Sequence, residues 1–319
     1  MQVVIDKGIP FLDGVIEPYA QVLYLHPEEI TTDTVREADA LIVRTRTRID
    51  KELLAGSKVR FVATATIGYD HIDQDYCKQA GIHWFSCPGC NAQAVCDYIE
   101  EAITTIKSDK TALTVGIIGY GNVGKLVAQM AEKKGHRVLL SDPPLGIGSS
   151  LQEIAPLCDV LTFHTPLTHN GDHPTYHLCN ADILRLCKHD TLIINAARGG
   201  VIDEQALLSH LSPLASSPHS LFASIDCWED EPNINQTLLQ KADLASYHIA
   251  GYSIQGKMRA SEMCLEAFCE FFSLPILSIN KKLVPLQGDS KSGWLKRISD
   301  QLKAHPEQFE QLRKNYPLR

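Results

Sequence analysis

Three short segments of this 319-residue chain carry side chains suited to moving a proton beside a bound carboxylate. They are Asn195-Ala196-Ala197-Arg198-Gly199-Gly200, Asp226-Cys227-Trp228-Glu229-Asp230-Glu231-Pro232 and His248-Ile249-Ala250-Gly251-Tyr252. Oxidising a secondary alcohol asks a protein for three things: a cation to hold the substrate, a base for the hydroxyl proton, and a group that tunes the base. Arg198 fits the first, because a planar guanidinium matches a carboxylate bidentately. His248 fits the second, because imidazole titrates near working pH. Glu231 fits the third by accepting a hydrogen bond from the other ring nitrogen, which fixes the tautomer and favours the imidazolium. Singly, each has a plainer reading as a salt-bridge partner or a surface residue. As an ordered set at three successive strand ends they point to one chemistry.

A hydride leaving such an alcohol needs an acceptor, and the sequence supplies a place for one. Gly119-Tyr120-Gly121-Asn122-Val123-Gly124 follows the apolar run Leu113–Ile118 and opens a helical pattern through Lys133. A lone G-x-G-x-x-G is weak evidence. Here it has its required context of strand, glycine turn, helix, second strand and then an acid. The first glycine permits the tight turn, the second lets backbone approach a pyrophosphate, and the third lets helix and strand pack closely. The free N–H groups of the helix N-terminus face the phosphates. Asp142 ends the second strand, where a carboxylate accepts from ribose hydroxyls and repels a 2′-phosphate, so the cofactor is expected to be NAD.

The elements that must position these residues are legible as a pattern. Val3–Asp6, Val22–Leu25, Ala40–Arg44, Phe61–Ala65 and Ile82–Phe85 are short β-rich runs separated by helix-compatible stretches. Ala92–Lys107 reads as one long helix with Val95, Ile99, Ala102, Ile103 and Ile106 on one face. A second series of strands is expected at Leu113–Ile118, Arg137–Ser141, Asp159–Phe163, Thr191–Asn195 and Leu221–Asp226, and a last long helix at Gly256–Phe272. Strands that alternate with helices imply parallel sheets covered on both faces. The fold class is therefore α/β, with two Rossmann-like, doubly wound domains and a cleft between them. Residues 1–93 form the first part of a substrate domain and 94–255 the NAD domain. Residues 256–319 return to the substrate domain and add a short C-terminal region.

The chain is 44% hydrophobic and 21% charged, with formal net charge -8. An acidic chain repels phosphodiester backbones, so no nucleic-acid partner is expected. The N-terminus has no signal-peptide pattern and no apolar run is long enough to span a bilayer, so neither export nor a membrane is expected. The ten cysteines then read as reduced thiols of a cytoplasmic protein. Cys87-Pro88-Gly89-Cys90 has C-x-x-C spacing but no second pair, and reads as a turn. The run His164, His169, His173, His177 lacks the spacing of a metal site, and no metal is expected.

In these motifs the chain resembles the D-isomer-specific 2-hydroxyacid dehydrogenases. The matches run from Asp6 to about Lys257. They include Thr64-Ala65-Thr66-Ile67-Gly68-Tyr69-Asp70-His71-Ile72-Asp73, Pro88-Gly89-Cys90-Asn91-Ala92, Phe163-His164-Thr165-Pro166-Leu167 and Ser246-Tyr247-His248-Ile249-Ala250-Gly251-Tyr252-Ser253-Ile254-Gln255-Gly256-Lys257. The resemblance implies Arg198, Glu231 and His248 as catalytic residues, with His248 the proton acceptor in oxidation. It implies NAD contacts from Asp142, Thr165, Ala196, Ala197, Asp226 and Gly251, beside the turn residues Gly119, Gly121, Asn122, Val123 and Gly124. It puts Thr45, Thr66 and Tyr252 at substrate-contacting positions. Arg44, Thr45 and Arg46 are the candidates for a substrate phosphate.

The implied substrate is a small phosphorylated hydroxy acid, 4-phospho-D-erythronate, oxidised at C2 on the route to pyridoxine. Alternatives are reduction of glyoxylate or hydroxypyruvate, oxidation of 3-phosphoglycerate, or a corepressor-like protein that senses NAD. Fold and triad do not choose among them. The resemblance also implies a homodimer. The C-terminal region is shorter than the family's dimerisation module, and Gln311-Leu312-Arg313-Lys314-Asn315-Tyr316 resembles part of that module.

Overall fold

A computed structural model describes residues 1–211, 220–279 and 293–317. The chain divides into two compact units. The first holds the described residues of Met1–Asn91 and Ser253–Gln287, the second those of Ala92–Tyr252 and Gly288–Arg319.

In the first unit the strands are β1 (Gln2–Asp6), β2 (Gln21–Leu25), β3 (Ala40–Val43), β4 (Phe61–Thr64) and β5 (His83–Phe85). They form an all-parallel sheet in the order β2-β1-β3-β4-β5. Val3, Val4, Ile5 and all of β3 and β4 are buried, as strands covered on both faces must be. The helix Ile254–Phe271 returns to this unit, and Phe268 and Phe271 set their rings against Phe61 of β4. Strand order reverses between β1 and β3, so the loops after these two strands open the crevice where doubly wound sheets bind ligands.

The second unit contains β6 (Thr114–Ile118), β7 (Arg137–Asp142), β8 (Ile147–Gly148), β9 (Val160–Phe163), β10 (Leu192–Asn195), β11 (Phe222–Ile225) and β12 (Leu244–Ala245). Their order is β12-β11-β10-β9-β6-β7-β8, parallel throughout except for the β7–β8 pair. Reversal here falls between β6 and β9. The long helix Ala92–Ile106 buries Val95, Ile99, Ala102 and Ile103 against this sheet's core. Its Tyr98 is fully buried, with its hydroxyl 2.9 Å from Ser246 Oγ and 3.3 Å from Ser224 Oγ.

Two points correct the sequence reading. The pattern missed β8 and β12, each only two residues long and too short to show a period. The C-terminal helices Trp294–Ala304 and Phe309–Lys314 lie in the second unit, not with the first. Trp294, Leu295, Leu302 and Phe309 are buried in its core, and Ser299 Oγ accepts the amide of Ala245 in β12. Apolar burial on one face of these helices holds them there. Part of the lysine-rich stretch after Ser278, residues 280–292, lies outside the described residues.

Candidate active site

The glycine turn sits at the β6 end of the switch point. Gly119 has φ +93°, a left-handed value open to glycine, and a Cβ there would lie 2.8 Å from His164 O in the loop after β9. Gly124 lies under the turn, where a Cβ would come within 2.0 Å of Gly119 O. By contrast a Cβ on Gly121 would meet nothing within 4 Å. The first and third glycines are thus required by packing, and the second faces open space.

Gly121 caps the helix Asn122–Lys133, with Asn122 and Val123 in its first turn. Asp142 ends β7 and accepts from Tyr120 N at 2.7 Å, so the acid is tied to the turn it was expected to serve. Thr165 Oγ1, in the loop after β9, is buried without a hydrogen-bond partner among the described residues. A buried hydroxyl left unpaired at the switch point, beside a turn whose middle glycine opens outward, fits a bound dinucleotide.

The loops after β10, β11 and β12 are stitched together by two buried side chains. Asn195 ends β10; its Nδ2 donates to Arg198 O at 2.9 Å and to Cys227 O at 3.0 Å, while its Oδ1 accepts from Ala197 N at 3.2 Å. Gly199 follows Arg198, and a Cβ there would lie 1.9 Å from Trp228 O, so only glycine lets the Arg198 loop close on the Glu231 loop. Asp226 Oδ1 accepts from Ser246 Oγ at 2.7 Å and Ile249 N at 2.8 Å, and its Oδ2 accepts from Ala250 N at 2.9 Å. Asp226 was expected to contact the cofactor. In the structure it is buried with both oxygens engaged, and it fixes the segment that carries His248, Ile249, Ala250 and Gly251.

Within that frame Glu231 and His248 form a pair. His248 Nδ1 is 2.8 Å from Glu231 Oε2 and 3.1 Å from Oε1. Trp228 N donates to Glu231 Oε1 at 2.9 Å, and the Trp228 indole donates to Ser246 O at 2.8 Å, so the carboxylate is held from its own loop. His248 has φ 59°, uncommon for a side-chain-bearing residue and typical of strained functional positions. Its N–H donates to Asp226 O at 3.0 Å, which helps to hold that conformation.

The imidazole is held well above its usual value by the Cys227 sulfur beside it and by Glu231, against the opposing effect of burial. Burial raises the Cys227 thiol itself, so at neutral pH the carboxylate is the charge that acts. Burial would raise Glu231, but the hydrogen bond and charge of His248 outweigh it and keep the carboxyl low. Cys227, Glu231 and His248 offer ligand-type atoms within 4.8 Å of one another. Of these, the carboxylate and a ring nitrogen are already hydrogen-bonded to each other. Arg198 donates from Nη1 to Ala197 O at 2.7 Å, which fixes the root of its guanidinium.

Other expected residues lie in the first unit. Arg44 was expected to bind phosphate, but its guanidinium is bidentate on buried Asp6, with Nε to Oδ2 2.8 Å and Nη2 to Oδ1 2.9 Å. A buried carboxylate needs that partner, so Arg44 braces the loops after β1 and β3. Thr45 and Arg46 are exposed in the same loop. Thr66 Oγ1 lies 2.7 Å from Thr64 Oγ1 and donates to Gly68 O at 3.0 Å. Cys90 N donates to Cys87 O at 3.3 Å, the turn expected of that motif, and burial pushes the Cys90 thiol up to about 12.

Three residues that sequence reasoning passed over shape the second unit's site. Asn195 could have been found as a polar residue ending a buried strand and Glu204 as an acid opening a helix, whereas Arg313 left no local signal. Glu204 Oε1 accepts from Glu229 N at 2.7 Å, and burial, reinforced by the neighbouring acids Glu229, Asp230 and Glu231, pushes its carboxyl up to about 7. Between an ordinary carboxylate value and about 7, the folded chain keeps a proton that the unfolded chain has released. Stability from this group is therefore full at low pH and lost as pH rises through about 7. Glu204→Gln keeps the acceptor without the charge. Its stability relative to wild type should grow by roughly 1–3 kcal/mol between pH 5 and pH 8 in denaturant unfolding, since each tenfold change in proton affinity is worth about 1.36 kcal/mol. A constant difference across that range would refute the assignment.

Comparison with known proteins shows the family. A family model described as "D-isomer specific 2-hydroxyacid dehydrogenase, NAD binding domain" matches residues 97–250. Erythronate-4-phosphate dehydrogenases of Bacteroides fragilis and Marinobacter nauticus are 43% and 38% identical to this chain, covering 100% of it and 97% and 92% of their own lengths. An NAD+-bound 3-phosphoglycerate dehydrogenase of Entamoeba histolytica superposes with TM-score 0.70 at 24% identity, over 91% of this chain and 99% of that one. D-Lactate dehydrogenase from Aquifex aeolicus, complexed with NAD and lactic acid, gives 0.66 at 22% identity, over 85% and 95%. At such identities the solved structures show a shared fold.

Proposed function

We infer that this chain, which belongs to the erythronate-4-phosphate dehydrogenases of the D-isomer specific 2-hydroxyacid dehydrogenase family, oxidises 4-phospho-D-erythronate to 2-oxo-3-hydroxy-4-phosphobutanoate in pyridoxine biosynthesis. NAD, when bound, supplies the hydride acceptor. The observation that carries the reading is the 2.8 Å pair of Glu231 and His248, on a loop frame shared with Arg198 and at strand ends of the same sheet as the glycine turn.

In the proposed mechanism Arg198 grips the C1 carboxylate and orients C2. His248, hydrogen-bonded to Glu231 through Nδ1, receives the C2 hydroxyl proton on Nε2. Glu231 stays ionised and stabilises the imidazolium that results. The candidates for holding NAD are Gly119, Gly121, Asn122, Val123 and Gly124 for the phosphates, Asp142 for ribose, and Thr165, Ala196, Ala197 and Gly251 along the strand ends. Thr45, Arg46, Thr66 and Tyr252 are proposed to contact substrate. Arg44 supports them through Asp6.

A homodimer in the cytoplasm, without nucleic acid or membrane partners, completes the proposal. Net charge -8 speaks against a nucleic-acid partner and ten free cysteines favour a reducing compartment, and no helix among the described residues is long and apolar enough to cross a membrane. The test is a steady-state panel: NAD with 4-phosphoerythronate, 3-phosphoglycerate or glycerate, and NADH with hydroxypyruvate or glyoxylate. The highest kcat/KM is expected for 4-phosphoerythronate. A preference for another acid would overturn the substrate, and tight NADH binding without any turnover would overturn the enzyme.

A further inference from the structure

The helix Phe309–Lys314 belongs to a region that the sequence assigned to dimerisation, yet it sends a side chain to the proton relay. Arg313 Nε donates to the Tyr252 hydroxyl at 3.3 Å, and its Nη1 lies 3.7 Å from Glu231 Oε2 and 3.3 Å from Glu310 Oε1 on its own helix. The helix is anchored by Phe309, which is 1% exposed, and Tyr316 just beyond it sets its ring near those of Tyr252 and Tyr247, with centroids 6.4 Å and 6.0 Å away. One guanidinium therefore links the acid that tunes His248 to the tyrosine four residues after that histidine.

We propose that Arg313 is a positioning residue of the active site, sharing the Glu231 carboxylate with His248 and fixing the Tyr252 hydroxyl, so that the C-terminal helix is part of the catalytic apparatus. The inference rests on the dyad reading given above. A cation beside Glu231 splits the carboxylate's charge between two partners, so it sets how strongly Glu231 favours the imidazolium. The side chain is only 29% exposed, which keeps the interaction from being fully screened by water and salt. Glu310 draws the same guanidinium from the solvent side and fixes its direction.

The charged and titratable groups facing the relay are Cys227 and Glu231 beside the imidazole, with Trp228 N, His248 and Arg313 around the carboxylate. Asp226 lies below, with its oxygens taken by Ser246 Oγ and by backbone amides. Removing the positive charge of Arg313 leaves Glu231 wholly to His248. The imidazole then binds its proton more tightly, and its titration midpoint rises. Arg313→Lys keeps the charge and should leave the midpoint in place.

The test is direct titration of His248 by NMR in the full chain with isotope-labelled histidine, its resonance assigned by its loss in His248→Gln. Both Arg313→Met and Arg313→Gln are expected to raise the midpoint by about half a pH unit, the size of one unit charge at several ångströms in a partly screened site. A midpoint unchanged in both neutral variants overturns the proposal, as does loss of the fold in both, which would make Arg313 a structural residue only. A midpoint that Arg313→Lys moves as far as the neutral variants do also overturns the charge argument. The readout needs no substrate, so a failure of the dehydrogenase reading would show separately, as absent turnover in a protein whose His248 still responds.

Discussion

His248→Ala is expected to lower kcat for NAD-dependent oxidation of 4-phosphoerythronate by at least ~100-fold, the low end for a positioned acid–base group. The structure gives the reason. The basicity of the imidazole is raised, and Glu231 is bonded to the nitrogen away from the proton it must take. Alanine removes base and tuned tautomer together, and leaves water as the proton acceptor. The side chain is 32% exposed and its backbone is held by Asp226, so truncation should leave the fold intact. Steady-state rates with matched unfolding midpoints check this, and turnover within a few-fold of wild type would remove His248 from the mechanism.

Arg198→Ala is the second large effect. A guanidinium that grips the substrate carboxylate both binds the acid and sets C2 in place, so KM should rise and kcat fall together. The expected loss in kcat/KM is roughly 100- to 1,000-fold, comparable with losing one oriented charge-stabilising donor. Arg198→Lys should recover only part of this, because an ammonium cannot make the paired contact. Unchanged kinetics in Arg198→Ala would exclude it as the anchor. A rise in KM alone would mean that it binds substrate without ordering the reacting carbon.

Most of this arrangement could be read along the chain, for identifiable reasons. Fully buried parallel strands such as β3, β4 and β9 are apolar runs broken at most by one threonine, so their places were visible. The glycine turn declared itself through spacing and context, and the three strand-end segments through the residue types they carry. What the sequence hid were pairings between distant positions. Arg44 looked free for a phosphate because nothing nearby reveals that Asp6, 38 residues earlier, holds it. Asp226 looked like a cofactor ligand because its commitment to the amides of Ile249 and Ala250 exists only once β11 and β12 lie side by side. Arg313 had no local signal at all. Its contact with Glu231 spans 82 positions and depends on a helix whose docking follows from burying Phe309 in the core of the second unit.

Two of these distant pairings, those of Asp226 and Arg313, shape the environment of His248, and that environment can be measured. In oxidation the base must be neutral, so kcat/KM should rise with pH through the midpoint of the free enzyme's imidazole and level off above it. Because Glu231 holds that midpoint above the ordinary histidine value, Glu231→Gln should move the rising limb to lower pH while also reducing the plateau. The measurement is the pH profile of kcat/KM for 4-phosphoerythronate in wild type and Glu231→Gln, side by side. A limb displaced to lower pH in the variant is the predicted result. A limb at the same pH in both would contradict a Glu231–His248 relay as the base.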